Sequence, residues 1–192
     1  ISVVPTFANG SVNCTGTAKT FTITANPSAQ VNQPANQVVC NGGSQPAVVF
    51  SSNNTGGTTT YTWTNDNASI GLAAGGAGDL PAFTAVNNGG TPVTAIVTVT
   101  PSYTNGLVTC PGASKTFTIT VNPTAQVNQP ASQTVCNGGS QPAVAFTTTN
   151  TGGTTTYAWT NDNTSIGLGA SGSGNLPSFT AANTGTSPVT AS

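Results

Sequence analysis

Trp63 recurs as Trp159, Cys40 as Cys136, Phe21 as Phe117 and Lys19 as Lys115, each pair 96 positions apart in a chain of 192 residues. A period of that size is one small domain used again, so the fold has to be a unit that stacks on its own copy. Repetition of this kind points to a spacing or mechanical role more than to chemistry.

The unit reads as β-structure. In Phe21-Thr-Ile-Thr-Ala25 the odd positions are apolar and the even ones are Thr, and Tyr61 and Trp63 flank Thr62 in the same way. The longest such run places Val93, Ala95, Val97 and Val99 on one face. Period-two alternation of β-branched and aromatic residues is the signature of a pleated, half-buried strand. Turn clusters separate the runs at Asn41-Gly42-Gly43, Asn54-Thr55-Gly56-Gly57, Asn88-Gly89-Gly90 and Asn105-Gly106, and no helical stripe interrupts them. The two copies also sort inward from outward positions. Val49 becomes Ala145 between unchanged Val48/Val144 and Phe50/Phe146, and Thr62 becomes Ala158 between an unchanged Tyr and Trp. The expected core is Val48, Phe50, Tyr61, Trp63, Ile70, Leu72, Phe83, Val97, Val99, Phe117 and Ile119, with partners one period away that include Phe146 and Trp159. About seven short strands per unit, with frequent turns, predict an all-β fold of tandem immunoglobulin-like β-sandwiches.

Composition excludes several functions. Charged residues are 3% of the chain, and His, Glu, Arg and Met are absent; an ordinary domain carries about 25% charge. There is no basic footprint for nucleic acid and no apolar run long enough for membrane insertion. Disorder is the bland reading of such a polar chain, but 35% of residues are hydrophobic and they alternate regularly. A Ser or Thr nucleophile lacks a His or Glu base. Asp79 is Asn175 in the second copy, so its carboxylate is not a shared reactive group. Asp66 and Asp162 lie in Asn-Asp-Asn turns, where the side chains are expected to serve local backbone amides; one carboxylate makes a poor calcium site. The Gly-rich stretch 71–78 lacks the Lys and helix of a phosphate loop. No catalytic, cofactor-binding or metal residues are expected, and the chain reads as no enzyme. Four cysteines permit three pairings, of which Cys40–Cys110 within one unit and Cys14–Cys40 with Cys110–Cys136 across junctions respect the repeat. Either suits an oxidising, extracellular compartment. A zinc site would need a closer Cys spacing or a His.

The strings TFTITVNPTAQVNQPASQTVCNGG, TYAWTNDNTSIGL and NLPSFTAANTGTSPVTA resemble the PKD-like domains of Bacteroidota surface proteins, over essentially the whole chain. That resemblance implies long, secreted, repetitive cell-surface proteins, commonly exported by the type IX pathway and linked to adhesion or gliding. It also implies two cysteines in one domain, hence a Cys40–Cys110 disulfide, with Cys14 and Cys136 reaching neighbouring repeats. The chain departs from the usual acidic Trp-Asp-Phe-Gly-Asp-Gly-type motif, having Trp63-Thr-Asn-Asp66-Asn67 and Trp159-Thr-Asn-Asp162-Asn163.

Pro27 and Pro123 end strands, because proline cannot donate to a ladder, and so mark the junctions. Residues 27–122 are then one complete unit, 1–26 the last strands of a preceding unit, and 123–192 a unit lacking those strands. The chain is expected to be a window on a longer polypeptide; the alternative is a filament whose subunits donate residues 1–26 to a neighbour's incomplete unit. Trp63 and Trp159 could stack on a sugar, but on an alternating strand they read as core. Phe7 and its copy Tyr103, near a junction, read as interdomain or interchain contacts. The functional expectation is a stalk segment of a secreted surface fibre, whose partners are neighbouring repeats or copies of itself. The rival is an adhesin module that recognises surface glycans through its loops. Differences between copies are small and uncharged, such as Ser51/Thr147 and Ala82/Ser178, which favours the stalk.

Overall fold

The computed structural model describes residues 1–192. Ahead of the first copy lie β1 (Ser2–Val3), β2 (Thr6–Asn9), β3 (Val12–Thr15) and β4 (Lys19–Thr20). The first copy holds β5 (Gln37–Cys40), β6 (Ser44–Gln45), β7 (Thr58–Asn65), β8 (Gly75–Ala77), β9 (Phe83–Thr84), β10 (Val93–Asn105), β11 (Val108–Pro111) and β12 (Lys115–Asn122). The second holds β13 (Ser140–Gln141), β14 (Ala158–Thr160), β15 (Ser171–Ser173) and β16 (Phe179–Thr180). Single 3-10 turns at Ala68–Ile70 and Thr164–Ile166 are the helical content, and no helix is long and apolar enough to cross a membrane. The fold is all-β.

A mixed six-stranded sheet is built within residues 37–122. Its order is β5-β12-β10-β7-β8, antiparallel except for the parallel β5–β12 edge, and β11 continues the hairpin beside the far half of β10. β10 is the axis of the sheet. Its odd residues Ala95, Val97, Val99, Pro101 and Tyr103 all point inward and are buried, as strand alternation demands. Pro101 has no N–H for a ladder, and the partner strand is broken opposite it. Pairing runs Val99↔Lys115 before the proline and Ser102↔Pro111 after it, so the partner carries one extra residue there, a β-bulge.

Across the core lies a second layer. Val48 and Leu80 exchange backbone hydrogen bonds, Ala85 is bonded to Gly42 and Gly43, and the Asn32 N–H donates to the Ser51 carbonyl. The core between the layers contains Phe50, Trp63, Ile70, Leu72, Leu80, Val97, Val99, Phe117 and Ile119, with Val48, Tyr61 and Phe83 half-buried against it. Phe50 meets Tyr61 edge-on at 5.6 Å and Phe117 at 6.4 Å. Each fully buried side chain of this kind contributes about 1.5–3 kcal/mol. Val31, Ala85 and Val121 also belong to it and Val49 is exposed.

The second copy repeats these pairings one period later. Ser140 pairs Thr180 as Ser44 pairs Thr84, Trp159 pairs Gly172 as Trp63 pairs Gly76, and Val144 pairs Leu176 as Val48 pairs Leu80. Within these 192 residues it has no counterpart of β10–β12, and Phe146, Trp159, Ile166 and Leu176 are only half-buried.

Candidate functional site

The carboxylates are engaged in structure. Asp79 Oδ1 accepts the Phe50 N–H at 2.9 Å, and Asn175 Oδ1 accepts the Phe146 N–H at 3.0 Å. Either side chain offers the same carbonyl-type acceptor, which accounts for the Asp/Asn exchange between copies. Asp66 Oδ1 accepts from Ile96 N–H at 2.7 Å, and Asp162 Oδ1 from Ser192 N–H at 2.7 Å. The expected service to local amides is therefore corrected: each Asp reaches a strand thirty residues away. The local work falls to Asn67 and Asn163, whose side chains cap the 3-10 turns by accepting from Ser69 and Ser165. The neighbouring Asn65 is buried and its amide donates to the Leu72 carbonyl at 3.1 Å. Recurrence by itself did not single out Asn65, because exposed Asn residues recur as well.

Trp63 is buried and offers no open face to a sugar. Its indole lies on Gly76, where an added Cβ would stand 2.5 Å from the ring. Trp159 is half-buried over Gly172 in the same manner. Phe50 is buried and its copy Phe146 half-buried, 5.6 Å from Tyr157. The phenol of Tyr61 is pushed above its ordinary 10.0 by burial, with Ser52 pulling the other way and Asp79 adding to the rise.

Two expectations fail on the geometry. Tyr103 is not an interdomain contact: it is buried within the first copy, and its hydroxyl donates to the Thr55 carbonyl at 2.8 Å. Its inward position on β10 follows from the same alternation that buries Val97 and Val99. Phe7, one period earlier, is widely exposed. The Cys40–Cys110 disulfide is absent, and all four thiols are free. Cys40 pairs with Asn122, near the Val93↔Val121 end of β10, whereas Cys110 pairs with Tyr103, ten residues further along. That separation is roughly 33 Å at strand rise, and a disulfide needs Cα atoms within about 7 Å. Cys110–Cys136 fares no better, because the second copy joins at the Asn122 end.

What the structure brings together is a junction and a groove. At the junction Thr151 N–H donates to the Gly90 carbonyl at 2.9 Å and Asn41 Nδ2 to Thr124 Oγ1 at 3.0 Å. Gly90 and Gly152 allow close approach there: a Cβ on either would stand 2.9 Å from Thr149 or Pro92. At the opposite end of the first copy, Asn105 Nδ2 donates to Asn26 Oδ1 at 2.9 Å. The groove, about 530 Å³, opens between the layers of the second copy and is lined by side chains such as Val144, Phe146, Ile166, Leu168 and Leu176. No protein-family model and no curated protein matches the chain.

Proposed function

We propose that this chain is a stalk segment of a long secreted surface fibre, in which immunoglobulin-like, PKD-like sandwiches follow one another head to tail. The carrying observation is the junction: the copies meet through backbone and Asn side-chain hydrogen bonds across Pro123, with no free linker between them. A direct contact of this kind transmits force and orientation along an array, whereas a flexible linker would not. The sheet order, with a parallel first-strand edge and a long central strand, is the arrangement expected of an immunoglobulin-like unit. In this reading the chain acts by shape and stiffness and not as an enzyme, since the carboxylates of Asp66, Asp79 and Asp162 are taken up by strand amides. Disulfides play no part within a unit. Extracellular location and attachment to a cell surface belong to the same reading and rest on the resemblance and the scarcity of charge. Small-angle scattering tests it through the angle between copies. A narrow, extended distribution is expected, and free hinging at Pro123 would defeat the spacer role.

A further inference from the structure

Residues 1–25 form a hairpin that keeps the register of β10–β12. Val3 pairs Lys19 as Val99 pairs Lys115, and Phe7 pairs Cys14 as Tyr103 pairs Cys110. The bulge is reproduced opposite Pro5, where Gly16 N–H donates to the Pro5 carbonyl as Gly112 donates to Pro101. The two hairpins differ in what covers them. Val99, Phe117 and Ile119 are 0%, 2% and 0% exposed, whereas Val3, Phe21 and Ile23 are 53%, 50% and 73% exposed. The groove of the second copy is the complementary defect: its Val144, Phe146, Ile166 and Leu176 are the copies of Val48, Phe50, Ile70 and Leu80, which β10 and β12 cover in the first copy.

We infer that the hairpin of one copy of this chain docks into the groove of a second copy, in the register that β10–β12 holds within residues 27–122. The inference deepens the repeat reading above and rests on it. Docked in this way, Val3 lies opposite Trp159 as Val99 lies opposite Trp63, and Ala25 lies beside Val135 as Val121 lies beside Val39. A chain cannot fill its own groove with this hairpin. Asn26 is held at the Asn105 end of the first copy, and the second copy starts from the Asn122 end, a β10 length away, roughly 40 Å. Donor and acceptor thus sit at opposite ends of one molecule. The contact is heterologous, it does not close on itself, and it propagates into a linear file of subunits. Main-chain pairing supplies the attachment, and the alternate side chains entering the groove supply the specificity.

Light scattering of the 192-residue chain across concentration tests the inference. Multiples of 18.8 kDa are expected. The double variant Phe21→Asp/Ile23→Asp should associate at least about a hundredfold more weakly, since carboxylates would have to enter an apolar core. Both positions lie outside the core of the first copy, so circular dichroism of that variant should match the parent. Fusing a second copy of residues 1–26 after Ser192 puts Ile1 where Val97 follows Ile96; this chain fills its groove in cis and should be a monomer. A cysteine pair at Ser2 and Thr160, in a background without native thiols, should crosslink multimers, because Thr98 and Thr64 are the opposed pair in the first copy. A parent chain that stays monomeric at all concentrations overturns the proposal. So do multimers that persist unchanged in the double variant or in the cis-filled chain, which would mean lateral association. Scattering from the monomeric double variant reports hinging at Pro123 separately, so the stalk reading can fail without this one.

Discussion

The hydroxyl of Tyr103, near the end of β10, donates to the Thr55 carbonyl at 2.8 Å and ties the central strand to the loop that precedes β7. Gly57 lies against the same ring, where a Cβ would approach the phenol at 2.7 Å. The contact lies wholly within residues 27–122, so its loss should act on the unit and not on coupling between units. Tyr103→Phe should cost about 1–2 kcal/mol, one net hydrogen bond and an unpaired carbonyl. Tyr103→Ala should cost about 3–5 kcal/mol through the cavity left. Denaturant unfolding followed by Trp63 fluorescence measures both; an unchanged midpoint for Tyr103→Ala would remove the residue from the core.

Asp79 and Asn175 hold the same amide in the two copies. Asp79→Asn should therefore leave stability within about 0.5 kcal/mol of the parent. Asp79→Ala should lose about 1–3 kcal/mol by leaving the Phe50 N–H unpaired. Thermal unfolding of the three proteins side by side decides this, and equal losses for Asn and Ala would show that charge rather than acceptor geometry matters.

Tyr61 gives the fold an alkaline limit. Its phenol is raised above 10.0 chiefly by burial, with Ser52 lowering and Asp79 raising it. Between the unfolded and folded values the native state holds more protons than the unfolded one, so stability falls as pH rises. The contribution is complete below pH 10 and lost as pH climbs through the raised value. Urea midpoints from pH 9 upward should fall more steeply for the parent than for Tyr61→Phe, and parallel curves would refute the assignment.

Cys40 and Cys110 stand at opposite ends of the sheet and should never be joined within one molecule. Under mild oxidation, peptide mapping by mass spectrometry should find no intramolecular Cys40–Cys110 link. Detection of that link in a monomer would mean that the β5–β12 register differs from the one described here.

The alternation of Phe21, Ile23 and Ala25, and of Val93, Ala95, Val97 and Val99, was enough to read an all-β fold, because strand geometry converts period two directly into one inward face. It was also enough to place Val49 outside and Phe50 inside. Tyr103 falls in the same phase as Val99, yet the Pro101 and Asn105-Gly106 around it look like a turn, and the strand continues through the proline only because β11 takes over the pairing. The reach of Asp66 to Ile96 was illegible for a related reason: a hydrogen bond across thirty residues has no local spacing to betray it.

Thr58–Asn65 and residues 154–161 differ at a single position, Thr62/Ala158, but the first is an eight-residue strand and the second pairs over three residues. Likewise Gln37–Cys40 is a strand and its near-identical copy at 133–136 is not. Local sequence settles which residues favour an extended backbone and which face they would bury. Whether that backbone becomes a strand depends on a neighbour to accept its hydrogen bonds, and β10 and β12 supply one to the first copy alone. The preference is written in the chain; the pairing is decided by what lies beside it in space.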